Sequence, residues 1–307
     1  MIVVFGSLNV DLVLTAAEHP RPGETVLCET SSLSPGGKGN NQAVAASRGG
    51  AEVAMVGRIG ADAFGTLLLE SLQANRVNAD SVRRDPTRMT GCAAVAVDGH
   101  GENIIYVAAG ANGAARADDV TDELLARAST VVCQMEVTPS ENWQLLERAK
   151  RAGTRTILNV APARDLDAAA IDAVTRWVDV LLVNGEEARQ LARHLRLADA
   201  VADPDQMASN LAKRLGALCV LTLGAEGACA SNGTERWAVP STPVAVKDTT
   251  GAGDTFTGVL AAMLDEGRSV ADSLKLASVA ASLTCREVGA QNGMPYRPEV
   301  ERYAQAR

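Results

Sequence analysis

In the run Asp248-Thr-Thr-Gly-Ala-Gly-Asp254-Thr-Phe-Thr-Gly258, glycine-flanked peptides give way to an acid and then to an apolar series: Phe256, Val259, Leu260, Ala261, Met263 and Leu264. That spacing predicts a helix whose first turn is Gly251 to Asp254. The first backbone N–H groups of a helix lack partners along it, and the macrodipole adds partial positive charge there. Glycine lets an anion come close to such bare backbone, so the turn suits a phosphate group. A carboxylate at the same place repels phosphate, unless Asp254 is there to take a proton from an attacking hydroxyl. Taken alone, the stretch is equally well explained as an ordinary loop-to-helix junction with an acidic first turn. It is not a Walker A loop, because no Gly-Lys-Ser/Thr follows, and it is not the GxGxxG dinucleotide fingerprint.

The chain has 307 residues, 47% hydrophobic and 21% charged, enough for one large α/β domain or two small ones. A net charge of -8 and the lack of any basic run argue against a nucleic-acid partner. No apolar stretch reaches transmembrane length and Ile2-Val-Val-Phe5 opens the chain as a strand, so no membrane partner and a cytoplasmic location are expected. Cys28, Cys92, Cys133, Cys219, Cys229 and Cys285 are scattered without a CxxC pair and read as small apolar side chains. His19, His100 and His194 lie far apart and indicate neither a histidine metal centre nor a Ser-His-Asp triad.

Strand one ends in Gly6-Ser-Leu-Asn9-Val-Asp11, which puts Asn9 and Asp11 where open α/β sheets gather ligands; an Asx turn is the plainer reading. Glu24-Thr-Val-Leu-Cys-Glu-Thr30 reads as extended chain or strand. Ser34-Pro-Gly-Gly37-Lys38-Gly-Asn-Asn41-Gln42 then opens a helix from Ala43 to Ser47, either as a polar ligand site or as a Pro-Gly turn with a solvated lysine. Val53–Gly57 reads as a strand and Phe64–Leu72 as an amphipathic helix. Thr90–Val97 and Asn103–Val107 flank Asp98-Gly-His-Gly-Glu102 as a hairpin, expected to pair with the Glu24 segment outside the main sheet as a small β lid. From residue 118 on, strands ending at Glu136, Asn159, Asn184 and Thr222 alternate with helices, two of which lie near 255–266 and 270–287; residues 198–206 read as a loose polar connection. Such units predict a mainly parallel sheet with helices on both faces. Asn184 and Glu187, an amide and a carboxylate three residues apart at a helix start, fit either an N-cap or a phosphate and hydrated-magnesium site.

Two segments, Gly36-Gly-Lys-Gly-Asn-Asn-Gln-Ala-Val-Ala-Ala-Ser-Arg-Gly-Gly-Ala51 and Asp248–Gly258, resemble the two signature regions of the ribokinase, or PfkB, family of carbohydrate kinases. The resemblance runs nearly end to end through Gly6–Asp11, Pro22–Thr25, Gly101–Asn112, Asn159–Arg164 and Gly289-Ala-Gln291. It implies a three-layer α/β fold with a mainly parallel central sheet, a single domain over 1–307, and a lid formed by about 12–35 and 89–108. The implied reaction is ATP-dependent phosphorylation of the 5-hydroxyl of D-ribose, with Asp254 as base and the amides of Gly251, Ala252 and Gly253 as anion hole. By the same resemblance Asn9, Asp11, Gly37, Asn41 and Glu136 hold the sugar, and Lys38 lies beside substrate and phosphates. Asn184 and Glu187 serve phosphates and magnesium, Glu187 through water, while Thr222, Gly224, Gly227, Gly253 and Ser278 line the ATP site. A potassium site is implied at Asp248, Thr250, Thr284, Glu287, Gly289 and Gly293, although Asn292-Gly293 stands where family members often carry a hydroxyl. A homodimer through the lid is also implied.

A kinase of the same fold acting on deoxyribose, a nucleoside or a keto-sugar acid is the nearest rival; the Gly-Gly-Lys-Gly-x-Asn-Gln run and Glu136 favour a free pentose. A non-catalytic sugar-binding protein would have lost the base or the anion hole, and both are present in the sequence.

Overall fold

A computed structural model describes residues 1–100, 102–163, 167–197 and 203–305. Gly101, Arg164 and residues 198–202 of the expected polar connection lie outside the described residues. The strands are β1 (Ile2–Phe5), β2 (Asn9–Thr15), β3 (Thr30–Gly36), β4 (Val53–Gly60), β5 (Asn78–Asp85), β6 (Gly91–Val97), β7 (Asn103–Ala108), β8 (Thr130–Gln134), β9 (Arg155–Asn159), β10 (Val180–Asn184), β11 (Leu218–Thr222), β12 (Ala228–Ser231) and β13 (Arg236–Val239).

Nine strands form one sheet in the order β13-β12-β11-β10-β9-β8-β1-β4-β5. Pairing is parallel from β11 across to β5; β12 pairs antiparallel with β11 and β13 antiparallel with β12, so β12 alone runs against the others. Side chains alternate faces along a strand, so a strand apolar at every position needs cover on both sides. Ile2 and Val4 enter a core closed by helices Lys38–Arg48, Ala252–Asp265 and Val270–Thr284. Val3 and Phe5 enter a second core beneath helices Pro139–Arg151, Gly185–His194 and Pro204–Leu215. The expected three-layer α/β fold is the one found. No described helix is long and apolar enough to cross a membrane.

The remaining strands make a second sheet of four, in the order β3-β2-β6-β7. The hairpin joins it through β6, which runs parallel to β2, while β3 closes the other edge. Several sequence expectations need correction here. Asn9 and Asp11 do not trail strand one; the chain crosses between sheets at Gly6-Ser-Leu, and both residues lie in β2. Of the two readings of Glu24–Thr30 the extended chain holds, since the strand there is Thr30–Gly36, and the hairpin pairs with β2 and not with the Glu24 segment. Pro35, read as a helix-opening turn, is tolerated within β3 because that strand is an edge. The next helix begins at Lys38 and not Ala43, since Gly37 at φ 87 makes the turn and Asn40, Asn41 and Gln42 are buried on helical backbone. The helices expected near 255–266 and 270–287 are Ala252–Asp265 and Val270–Thr284.

Candidate active site

The site lies where β1, β8, β9, β10 and β11 end, under the foot of the small sheet. Gly251, at φ 78, precedes helix Ala252–Asp265, and the first amide bonded back along that helix is Thr255 N–H, to the Gly251 carbonyl at 2.8 Å. The Ala252 amide turns back to Thr249 O at 3.2 Å, while the amides of Gly251, Gly253 and Asp254 have no acceptor among the described residues. The open donors therefore differ from the expected set by one: Asp254 replaces Ala252. A Cβ at Gly251 would overlap the Ala290 carbonyl, whereas one at Gly253 would meet nothing within 4 Å. Gly253 faces open space.

Asp254 is 8% exposed, and both its oxygens are held. Asn41 Nδ2 donates to Oδ2 at 2.9 Å and Gln42 Nε2 to Oδ1 at 3.0 Å. A carboxylate accepts only, so Asn41 must turn its own Oδ1 away, where Gln291 Nε2 donates to it at 2.9 Å. On the other wall Glu136 Oε2 accepts from Ser7 Oγ at 2.6 Å and from the Lys38 amide at 3.1 Å. Asp11 packs under Gly36, where a Cβ would overlap its carboxylate, and Gly37 leaves equally little room beside the Asn9 amide. Asn9 Oδ1 accepts from Asn112 Nδ2 at 2.7 Å.

Burial, reinforced by Glu136 and Asp254, pushes the Asp11 carboxyl up to about 7 against the pull of Lys38. Burial alone would lower the Lys38 ammonium, but Asp254, Glu136, Glu187 and Asp11 outweigh it and hold the group above the ordinary lysine value. Burial also raises Glu187, which the Asn184 amide and Lys38 partly offset.

Lys38, Asn184, Glu187, Thr222, Gly251, Gly253 and Asp254 line a cavity of about 170 Å³. Asn184 and Glu187 form a reciprocal cap, Glu187 N–H to Asn184 Oδ1 and Asn184 N–H to Glu187 Oε2, each at 2.8 Å. The cap reading of this pair is thus correct, and it leaves Asn184 Nδ2 and Glu187 Oε1 for the cavity. Thr222 and Gly253 also belong to an adjoining cleft of about 480 Å³, with Gly224, Gly227, Val246, Phe256, Ser278 and Cys285 among its walls. A small polar chamber opening into a larger apolar one suits polyphosphate followed by a flat base.

Behind the glycine turn, Asp248 Oδ1 accepts from Thr250 N–H and Oγ1 at 2.9 and 2.7 Å, and Oδ2 accepts from Gly289 N–H at 2.8 Å. Burial would raise this carboxyl, but those donors outweigh it and hold it below the usual range. A Cβ at Gly293 would overlap the Thr284 carbonyl, so no side-chain ligand fits at 293 in this conformation. Thr284 Oγ1 is turned to Thr255 Oγ1 at 3.0 Å and Glu287 pairs with Lys247 at 3.0 Å, which leaves mainly backbone oxygens for a cation.

Residues 1–297 match the family model for the pfkB family of carbohydrate kinases. The chain belongs to that family. It is 38% identical to a ribokinase of Bacillus subtilis over 98% of both chains. Among solved structures, ribokinase from Thermotoga maritima superposes with a TM-score of 0.89 at 29% identity, covering 99% of each chain. Arabidopsis thaliana ribokinase complexed with ribose and ATP gives 0.87 at 32% identity, covering 99% of this chain and 98% of that one. In this carbohydrate kinase, Gln42, Gln291, Asn112 and Ser7 join the site although they were not singled out from sequence. Each lies within or beside a quoted segment, and the available signal was that buried carboxylates and amides need partners.

Proposed function

We propose that the chain phosphorylates the 5-hydroxyl of D-ribose with ATP, as one α/β domain lidded by its small sheet. One observation carries this reading: the buried Asp254 carboxylate and the open Gly253 amide line the same 170 Å³ cavity. Nucleophile activation and stabilisation of the transferring phosphoryl group then act from adjacent residues on one helix turn. Asn9, Asp11, Asn41 and Glu136 hold the sugar hydroxyls; Asp254 accepts the proton as the oxygen attacks the γ-phosphorus in line. The open amides and the Lys38 ammonium meet charge on the equatorial oxygens. Thr222, Gly224, Gly227 and Ser278 receive the nucleoside part of ATP.

The donor set fits magnesium that arrives with ATP. Among the described residues no cluster of three or more His, Cys, Asp or Glu forms a metal cage, which matches an ion kept mostly by phosphates and water. Glu187 would hold it through water by its unused oxygen; the ion neutralises polyphosphate that would otherwise face Asp11, Glu136, Asp254 and Glu187. Asp248, Thr250, Thr284, Glu287, Gly289 and Gly293 would hold potassium largely by carbonyls. An ATP-dependent step and six free cysteines fit a cytoplasmic setting.

The test is ADP release with magnesium, comparing D-ribose with 2-deoxyribose, fructose and ribonucleosides, in potassium and in sodium. Turnover strongest on ribose and weaker in sodium is expected. Turnover confined to another acceptor would reassign the substrate, and equal rates in both salts would remove the cation site.

A further inference from the structure

Asn112 sits in the single turn Gly110–Ala114 that follows the hairpin, 1% exposed, with its carboxamide against the step from β1 into β2. Its Oδ1 accepts from Leu8 N–H at 2.9 Å; its Nδ2 donates to Leu8 O at 3.1 Å and to Asn9 Oδ1 at 2.7 Å. A backbone N–H only donates and a backbone carbonyl only accepts, so Leu8 dictates which way the Asn112 amide faces. Asn9 must therefore give Asn112 its oxygen, and its Nδ2 must point elsewhere. That Nδ2 has no protein partner among the described residues, yet it is not sealed among the buried unmet atoms. Asn9 thus has only a donor left to offer, and never an acceptor.

The same amide gathers the feet of the small sheet. Asn9 opens β2 and pairs in register with Gly91, which opens β6. A Cβ on Gly91 would overlap both Asn9 Oδ1 and Asn112 Nδ2, and Asn112 itself follows the last strand of the hairpin. Three strand ends meet at one carboxamide.

We propose that Asn112 is a positioning residue for the sugar: it fixes the Asn9 carboxamide as donor to a sugar hydroxyl oxygen and ties that polarity to the seating of the lid. The proposal rests on the ribose-kinase reading. Asn112→Asp keeps the acceptor for Leu8 N–H but removes the donor to Asn9, whose amide then turns to offer its oxygen to the pocket. Ribose KM is expected to rise on the order of 10- to 100-fold, the consequence of leaving a buried polar group mismatched, with ATP KM held within ~2-fold.

The deciding measurement is a double-mutant cycle. In an Asn9→Ala background, Asn112→Asp should change ribose KM by less than ~2-fold, because the group it orients is gone. Equal rises in both backgrounds, or matching rises in ribose and ATP KM, would overturn the assignment. If Asn112→Asp does not fold, Asn112→Ser carries the same cycle with the ribose-induced rise in Tm as readout. There the rise should shrink only where Asn9 is present, and shrinkage in both backgrounds overturns the assignment. Ribose-dependent turnover by the unsubstituted protein is the control; its absence would sink the kinase reading and this proposal together.

Discussion

In the proposed reaction two carboxyl groups would set the pH behaviour and the rate, each in a different way. Asp254 is held from both sides by amides, which orient it without supplying a proton. Asp254→Asn should therefore lower kcat by about 10²- to 10⁴-fold, the worth of a general base, while ribose still raises the Tm of the variant. Turnover near that of the unsubstituted enzyme would remove Asp254 from its role. Asp11 is raised from 3.8 to about 7, chiefly by burial. A raised carboxyl binds its proton more tightly folded than unfolded, so its contribution to stability is present at low pH and is lost as pH rises through about 7. Sugar binding runs the other way, since the ionised form is the stronger acceptor for a hydroxyl. kcat/KM for ribose should climb as pH rises through about 7 and then level, and Asp11→Asn should flatten that limb. A limb unchanged in Asp11→Asn would assign it to another group. Asp254 was marked in the sequence by the resemblance of Asp248–Gly258 to a family signature, because the stretch taken alone reads equally well as a loop-to-helix junction with an acidic first turn. Gln42, Gln291 and Asn112 were not, because their partners lie 212, 250 and 104 residues away, and no local pattern records a bond across that distance.

At the scale of elements, the glycine turn separates folding from chemistry within three residues. Gly251 has φ 78 and no room for a Cβ beside Ala290. Gly251→Ala should cost on the order of 1–3 kcal/mol of stability from backbone strain alone and displace the open amides as well. Gly253 lies at the helix start with open space around its missing side chain. Gly253→Ala should leave stability within about 0.5 kcal/mol yet lower kcat/KM for ATP by roughly 10²-fold, because the methyl group stands where phosphate must approach. Thermal melts beside steady-state kinetics on both variants check this; a destabilised Gly253→Ala, or one with normal ATP kinetics, would contradict it. The helix after this turn could be read from its apolar spacing, as could the parallel strands from runs such as Leu181-Leu-Val183 with cover on both faces. The small sheet was harder. β3 carries Ser31, Ser32 and Pro35, and β5 reads Asn78-Ala-Asp-Ser-Val-Arg-Arg-Asp85; both are edges of their sheets. Edge strands are half solvated and tolerate polar residues and proline, so the apolar periodicity that marks a central strand is missing from them.

Across the whole molecule the apolar surface is unevenly placed. Leu27 is 89% exposed and Tyr106 73%, and Leu33, Ile104, Ile105 and Val107 accompany them on or beside the small sheet. β7 is one edge of that sheet, and an apolar edge with unpaired backbone groups is the kind of surface another strand or sheet covers. We propose a second copy of the chain as that cover; burying the lid against its twin would brace the strands that carry Asn9 and Asp11. The double substitution Ile104→Lys with Tyr106→Lys lies on the face of the small sheet opposite Asp11, whose register runs through Ala93 to Val107. It should convert a dimer to a monomer of 31.9 kDa in sedimentation and raise ribose KM more than ATP KM. Salt discriminates the physics. Each copy carries a net charge of -8, so like charges oppose pairing and are screened as ionic strength rises, while the apolar contact is not weakened. Association should therefore strengthen with added potassium chloride. Association that weakens with salt would mean ion pairs hold the copies together, and an unsubstituted chain that sediments as a monomer at every concentration would leave the lid to close alone.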